Sequence, residues 1–309
     1  MTVTPVARPL PANRTLIAAG FILVYAFIIA FTDNFVRQIA ADGGLWQFHA
    51  TRTAFAVLIL AVLAVPLGLR LRPRNGRAVL ARSLIHGCTM VIYFGCLAFL
   101  SVAEVAAGLF TAPIFVLLIS RFVYGHRIGP FRILAVAVGF VGAMLVLGIG
   151  PGTAVTPALV LPIVAGALYA MGNIATQEWC EGESAETLLL GFFLALGALG
   201  LIGMALLALW QPAVPEGADG FVLRGAVWPT GSFLFWTFVQ AAGSLLGVGL
   251  MVKSYQIADA SRVAVFEYVI LPMSAFWTWA LWGEVISMQA AVGIVLIFAA
   301  GLIIAARSR

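Results

Sequence analysis

The chain has 309 residues, 63% of them hydrophobic and 9% charged. So few polar residues cannot cover a soluble globule of this length, so the composition excludes one and makes the lipid bilayer the solvent. The formal charge of +5 could mark a nucleic-acid or lipid-surface footprint, but the placement of the basic residues gives it another meaning.

A helix needs about 20 apolar residues to cross roughly 30 Å of hydrocarbon. Ten such runs follow one another, at 16–39, 46–69, 79–100, 103–123, 129–149, 159–179, 186–210, 231–254, 260–282 and 286–306. Residues 1–15, with Pro5, Pro9 and Pro11, read as a polar tail, and no short apolar core with a small-residue cleavage site suggests a removable signal.

Taken in chain order, the first, second and fourth runs bring Asp33, Arg37, His49, Arg52 and Glu104 to the outer third. There they form either a salt-bridged gate or a static network. In the third run His86, Thr89 and Tyr93 share one face at three- and four-residue spacing, which predicts an inward-looking stripe. His86 there lines a cavity or packs. The fourth run carries Phe110 and the mid-helix Pro113. In the sixth, Tyr169 and Asn173 are four residues apart with Gln177 a turn beyond, and Gln240 and Ser244 repeat that spacing in the eighth. Such groups either hold a zwitterion or join helices. Gly197, Gly200 and Gly203 in the seventh run, and Gly243 and Gly247 in the eighth, predict close helix packing. The segment 211–230, with Pro212, Pro215 and Pro229, reads as an outer loop with room for an interfacial turn.

The ninth run holds Glu267, Tyr268 and Pro272. A charged group in hydrocarbon costs roughly 2.5–3.5 kcal/mol on insertion scales, so Glu267 is expected to face a cavity or a partner. It is a proton-coupling site, a donor to the substrate, or half of a structural pair with His86 or Lys253. Tyr93, Phe110, Tyr169, Phe266 and Tyr268 all fall at the depth of a central cavity.

If the N-terminus is cytoplasmic, one side of the membrane carries Arg8, Arg14, Arg70, Arg72, Arg74, Arg77, Arg82, Arg121, Arg127, Arg132, Lys253, Arg262, Arg307 and Arg309. The other carries Arg37, Arg52 and Arg224. That asymmetry predicts both termini inside. The inner loop with Glu178, Glu181, Glu183 and Glu186 dissents, but acidic residues weigh little in the rule. Trp46, Trp210, Trp228, Trp236 and Trp282 fall near outer ends, as an aromatic belt requires.

One hairpin theme is written twice. Ser101-Val-Ala-Glu-Val-Ala-Ala-Gly-Leu-Phe-Thr-Ala-Pro113 returns as Asp259-Ala-Ser-Arg-Val-Ala-Val-Phe-Glu-Tyr-Val-Ile-Leu-Pro272. Each copy runs on to a glycine turn, at Gly125 and Gly283. Five spans per unit is odd, so the second unit sits upside down relative to the first. The expected architecture is therefore an all-α integral membrane protein of ten transmembrane helices in two inverted five-helix repeats, 16–149 and 159–306. An outer linker, 150–158, joins them, and inner tails 1–15 and 307–309 flank them.

Ala98-Phe-Leu-Ser-Val-Ala-Glu104, Pro113 and Gly125-His-Arg-Ile-Gly129 resemble the EamA repeat of the drug/metabolite transporter superfamily. Val265-Phe-Glu-Tyr268, Pro272 and Gly283-Glu284 resemble its second copy, and Arg52-Thr-Ala-Phe-Ala56 its second span. His126 departs from the Glu that the family usually carries after the turn glycine. The resemblance implies export or exchange of amino acids, aromatic ones among them, or of other small metabolites across a bacterial inner membrane. Uptake by antiport of a larger metabolite such as S-adenosylmethionine is the alternative.

The candidate substrate-binding residues are His86, Tyr93, Phe110, Tyr169, Asn173, Gln240, Ser244, Glu267 and Tyr268. Arg52, Asp33, Glu104, Pro113 and Pro272 are the candidates for gating or hinging. Pro113 and Pro272 remove a hydrogen bond at equivalent depths, and a symmetric pair of kinks suits a hinge. No GxxxxGK[ST] loop occurs, so drive by ATP is not expected, which leaves a proton or the substrate's own gradient. HExxH, GxSxG and paired Asp motifs are absent, so no catalytic residue, metal or cofactor is expected, although a membrane enzyme or helical scaffold is the rival class. Cys88, Cys96 and Cys180 lack metal-ligand spacing and read as packing residues. The expected partners are a small-molecule substrate and the lipid bilayer, not nucleic acid. The sequence does not set the oligomeric state.

Overall fold

The computed structural model describes residues 12–96, 100, 102–149 and 157–306, without the side chains of 12, 13, 102–104, 218 and 219. The regular elements among the described residues are all helices, with no strand. The first pass is α1 (Ala12–Asp33) and α2 (Val36–Asp42), the second α3 (Leu45–Ala64) and the third α4 (Gly76–Cys96). The fourth is α5 (Val102–Leu109) with α6 (Ala112–Phe122), the fifth α7 (Pro130–Val146), the sixth α8 (Val160–Glu178) and the seventh α9 (Ala185–Trp210). α10 (Gly231–Ile257) is the eighth, α11 (Ala260–Phe266) with α12 (Ile270–Trp282) the ninth, and α13 (Met288–Ala306) the tenth. Nine of these passes are long and apolar enough to span a membrane, and Pro130–Val146 is a shorter apolar helix. Its 17 residues stand at the lower limit of roughly 17–25 for a span.

The starts and stops follow from local chemistry. Ser184, Thr230 and Asp259 each cap a helix by accepting a backbone N–H, from Thr187, Phe233 and Ser261 respectively. Gly125 and Gly283, the turn glycines of the two copies, adopt φ of 70° and 69°, a left-handed geometry that favours glycine. The duplicated theme therefore extends to the backbone of its turns.

Packing repeats the duplication. α1 lies against α10 as α8 lies against α4, and α8 holds α5 and α6 as α1 holds α11 and α12. α4 packs on α9 as α10 packs on α3, and α3 with α9 and α7 with α13 join equivalent spans. Exchanging the first five passes for the last five thus maps the packing onto itself, as two equivalent units require. α1 begins at the end where Thr15, Arg132, Asp259 and Arg262 meet. α8 finishes there, with Trp179 bonded to Tyr124, so the second unit is inverted.

Glycine permits the closest of these approaches. A Cβ on Gly142 of α7 would stand 2.7 Å from the Gly293 carbonyl oxygen of α13, and one on Gly293 would stand 2.5 Å from that of Gly142. Gly243 and Gly247 admit Thr32 and Ile29 of α1, while Gly203 admits the Trp46 ring. Leu58, Val62, Leu201, Leu206, Val295 and Leu302 form part of the apolar exterior.

The connections at each end are tied down. At the end expected inside, Glu183 Oε1 accepts the backbone N–H groups of Arg74 and Asn75, both at 2.7 Å. The acidic loop thereby anchors the start of α4, where a carboxylate suits the helix dipole. Asp259 binds Arg132 Nη1 at 2.9 Å. Burial alone would raise the Asp259 carboxyl, but Arg132 and the Ser261 hydroxyl and N–H hold it below the ordinary carboxylate range. His126 faces Glu178 at 3.5 Å, so the residue that departs from the repeat pattern meets an acid.

At the opposite end the loop 211–230 contains a 3₁₀ turn, Gly217–Gly220, against α2. Arg224 Nη1 donates to the Ala40 and Gly43 carbonyls at 2.7 and 2.9 Å and so closes the C-terminal end of α2. Gln47 Nε2 donates to the Val227 carbonyl and Oε1 accepts the Val227 N–H, at 2.7 and 3.0 Å. Trp210, Trp228 and Trp282 are exposed near this end. Trp46 instead donates to the Val222 carbonyl, and Trp236 stacks on Phe35 at 3.6 Å.

Candidate functional site

Both units contribute to a central cavity of about 370 Å³. Its wall takes Tyr25 and Asp33 from α1, Arg52 from α3, and Arg82, His86 and Tyr93 from α4. Phe110 and Pro113 come from the fourth pass, Tyr169 from α8, Phe192 from α9, Ser244 and Tyr255 from α10, and Glu267 from the ninth pass. Small-molecule sites usually hold roughly 300–1,000 Å³, mostly apolar with a few placed polar groups, and this wall has that character.

The two proline-broken spans shape the centre. Pro113 has no N–H for the Leu109 carbonyl, and Pro272 none for that of Tyr268. The fourth pass is interrupted at Phe110–Thr111, and the ninth tightens into a 3₁₀ turn over 267–269. Glu267 opens that turn, which carries its carboxyl to the cavity.

Around Glu267 the donors are neutral. Tyr169 Oη donates to Oε2 at 2.7 Å, Asn173 Nδ2 lies 3.4 Å from Oε1, and Tyr255 Oη closes on Oε1. Neither cation weighed as a partner is there: Lys253 is exposed, and His86 packs edge-on against Tyr169 at 5.6 Å. Farther along the cavity, Arg52 donates to the Ser244 hydroxyl and lies under the field of Asp33, whose Oδ1 accepts from Gln240 at 2.9 Å.

Of the residues singled out from sequence, His86, Tyr93, Phe110, Tyr169, Ser244, Glu267, Asp33, Arg52 and Pro113 line the cavity. Asn173 and Gln240 stand one layer behind, bonded to Glu267 and Asp33. Tyr268 is fully buried behind the wall, where its ring fills the space over Gly139 and its hydroxyl donates to the Phe110 carbonyl at 3.3 Å. Pro272 is buried in α12 off the lining. The expected outer cluster does not come together as one: Arg37 is exposed, and His49 is buried with both ring nitrogens unbonded. The Glu104 side chain lies outside the described residues.

Sequence reasoning missed Arg82, Tyr25, Tyr255 and Phe192. Arg82 was counted with the inner-loop bases, yet it precedes His86 by four residues and so extends the His86–Thr89–Tyr93 face by one turn. Tyr255 ends a stripe through Ser244, Val248 and Met251, all on the lining. Among the described residues no group of three or more His, Cys, Asp or Glu could hold a metal ion.

Residues 16–148 match the EamA-like transporter family. Over 86% of this chain and 80% of the other, the sequence is 28% identical to a protein named riboflavin transporter from Rhizobium johnstonii. It is 22% identical to the pseudopaline exporter CntI of Pseudomonas aeruginosa over 92% and 95% of the two chains. It is likewise 22% identical to an uncharacterized transporter of Helicobacter pylori over 95% and 96%. A solved chain, described only as the crystal structure of a protein, shares the fold with a TM-score of 0.75 at 18% identity, over 94% of this chain and 97% of that one. These findings support, for this multi-pass membrane protein, the EamA family of the drug/metabolite transporter superfamily and a role as a transporter of small metabolites.

Proposed function

We propose that the chain is a secondary transporter that exports small amphipathic metabolites, amino acids with aromatic side chains among them, across a bacterial inner membrane by alternating access. The observation that carries this reading is the cavity between two inverted units, with aromatic walls and buried groups of both charges. Rings on Tyr93, Phe110, Tyr169 and Phe192 suit an aromatic solute by edge or offset contact. Charged groups at membrane depth suit its polar end. In this reading Pro113 and Pro272 are hinges between the units, Arg52 and Asp33 change partners as the outer side opens, and Glu267 exchanges a proton with the substrate cycle.

A second reading is uptake by antiport of a larger ring-bearing solute, a flavin or S-adenosylmethionine. The aromatic wall and the relatives named riboflavin transporter favour it.

Proteoliposomes loaded with phenylalanine, tryptophan, riboflavin or S-adenosylmethionine separate the two by counterflow of the matching label. Saturable exchange of the aromatic amino acids supports the first reading, exchange of riboflavin or S-adenosylmethionine alone supports the second, and no exchange of any from folded protein sinks both. The reading puts both termini inside, and the basic end that holds Arg70, Arg74, Arg132 and Arg262 supports that orientation. Glu181→Cys should then resist an impermeant thiol reagent added outside intact cells, and ready labelling there would reverse the orientation.

A further inference from the structure

Two charges on the cavity wall lack an opposite charge. Arg82 is 1% exposed, and its Nε donates to Thr176 Oγ1 at 2.7 Å while Nη1 reaches the Leu188 carbonyl at 3.3 Å. Among the described residues it forms no salt bridge, and the groups within its field are Cys180, Tyr169 and His86, not a carboxylate. Arg52, the other buried arginine of the wall, has Asp33 in its field. On the same cavity wall, Glu267 is held by Tyr169, Tyr255 and Asn173 and by no cation among the described residues.

Burying an unpaired guanidinium carries a large desolvation cost, which an anion from outside the protein would offset. Thr176 and the Leu188 carbonyl fix its plane from behind. Nη2 has no hydrogen bond among the described residues, and Nη1 keeps a second N–H. That free edge is the fork that recognises a carboxylate through two parallel bonds.

We propose that Arg82 is the carboxylate subsite of the cavity and Glu267 the subsite for the same solute's ammonium group, so that the substrate class is a zwitterion with an apolar or aromatic body. This rests on the transport reading above. α8 joins the two poles, since Tyr169 and Asn173 donate to Glu267 and Thr176, less than one turn beyond Asn173, accepts from Arg82. Neutral capture of both charges allows a zwitterion to leave water without leaving either protein charge unpaired.

The test compares wild type, Arg82→Gln and Arg82→Lys as competitors are added to labelled phenylalanine counterflow. The same three proteins are then tested for ligand-induced shifts of the unfolding midpoint. The probes are phenylalanine, phenylalaninamide, which keeps the ammonium but not the carboxylate, and riboflavin, which has neither. Wild type should prefer phenylalanine over its amide by about tenfold or more. Arg82→Gln should lose that preference through weaker phenylalanine binding while the amide is unaffected. Arg82→Lys, which keeps the charge without the fork, should retain the preference at lower affinity.

An Arg82→Gln protein that still prefers the acid, or an Arg82→Lys protein that shows no preference, overturns the subsite. Wild type that exchanges riboflavin and neither amino acid nor amide overturns it too, while leaving the transporter reading intact. Absence of all counterflow removes the transport reading. In that case the midpoint shifts decide the subsite, and equal shifts with acid and amide reject it.

Discussion

The Tyr268 hydroxyl donates to the Phe110 carbonyl at 3.3 Å, and so links the broken points of the two equivalent spans. In a regular helix the Ile114 N–H would answer Phe110, but it turns to Thr111 at 2.9 Å. The phenol of one unit therefore satisfies the backbone that the other unit's irregularity frees. Tyr268→Phe should cost about 0.6–1 kcal/mol, seen as a lower unfolding midpoint, since bonds between membrane helices average near that value. It should also change the counterflow rate. An unaltered midpoint and rate would mean the contact is incidental.

Pro113→Ala and Pro272→Ala would restore a backbone donor at each break. If the interruptions are hinges, maximal exchange rate should fall more than apparent affinity in either variant, and most in the double variant. Kinetics of labelled substrate at several concentrations separate the two quantities. Equal losses in both, with poorer expression, would indicate a packing role alone.

Glu267→Gln keeps the size of the side chain and removes its ability to take a proton. It also places an amide NH₂ among the Tyr169, Tyr255 and Asn173 donors, so one hydroxyl must turn to accept. The expected outcome is net transport that no longer varies with pH, together with a weaker apparent affinity for a solute whose ammonium group Glu267 would hold. A pH profile that matches wild type would remove Glu267 from coupling.

Two turns before Glu267, at the N-terminal end of that span, Asp259→Ala deletes the cap of α11 and the partner of Arg132. Loss of the cap alone should cost about 1 kcal/mol at neutral pH. Because the folded carboxyl titrates below its ordinary value, its ionic contribution is present above the unfolded pKa of about 3.9 and is lost as pH falls through the lower folded value. Midpoints of wild type and variant should therefore converge only in that acidic window. A difference that already vanishes near neutrality would refute the ionic part.

Gly142→Ala places a methyl group 2.7 Å from the Gly293 carbonyl oxygen. Backbone cannot yield as a flexible side chain can, so α7 and α13 must separate, at about 1–3 kcal/mol. Thermal unfolding in detergent reads that loss directly. A midpoint equal to that of wild type would show that this pair of spans is more loosely packed than the structure indicates.

Span number, duplication and inversion were legible because they rest on properties repeated along the chain: apolar runs of bilayer length, an odd number of spans per copy, and glycine and proline at equivalent offsets. The Gly125 and Gly283 turns and the interruptions before Pro113 and Pro272 follow from local backbone chemistry, which a sequence carries in full. His86 and Tyr93 were legible as one helical face for the same reason.

Which polar residue faces which could be settled only by packing between the units. Tyr268 has the depth of a cavity residue, yet the open space over Gly139, from another span, takes its ring behind the wall. Arg82 has the position of an inner-loop base, yet Thr176 and the Leu188 carbonyl draw it into the cavity. Helical spacing fixes a side chain's direction relative to its own axis, whereas the rotation of that axis is set by its neighbours. The sequence therefore determined a ten-pass inverted pair, while the tertiary structure decided that Arg82 and Glu267 share a cavity.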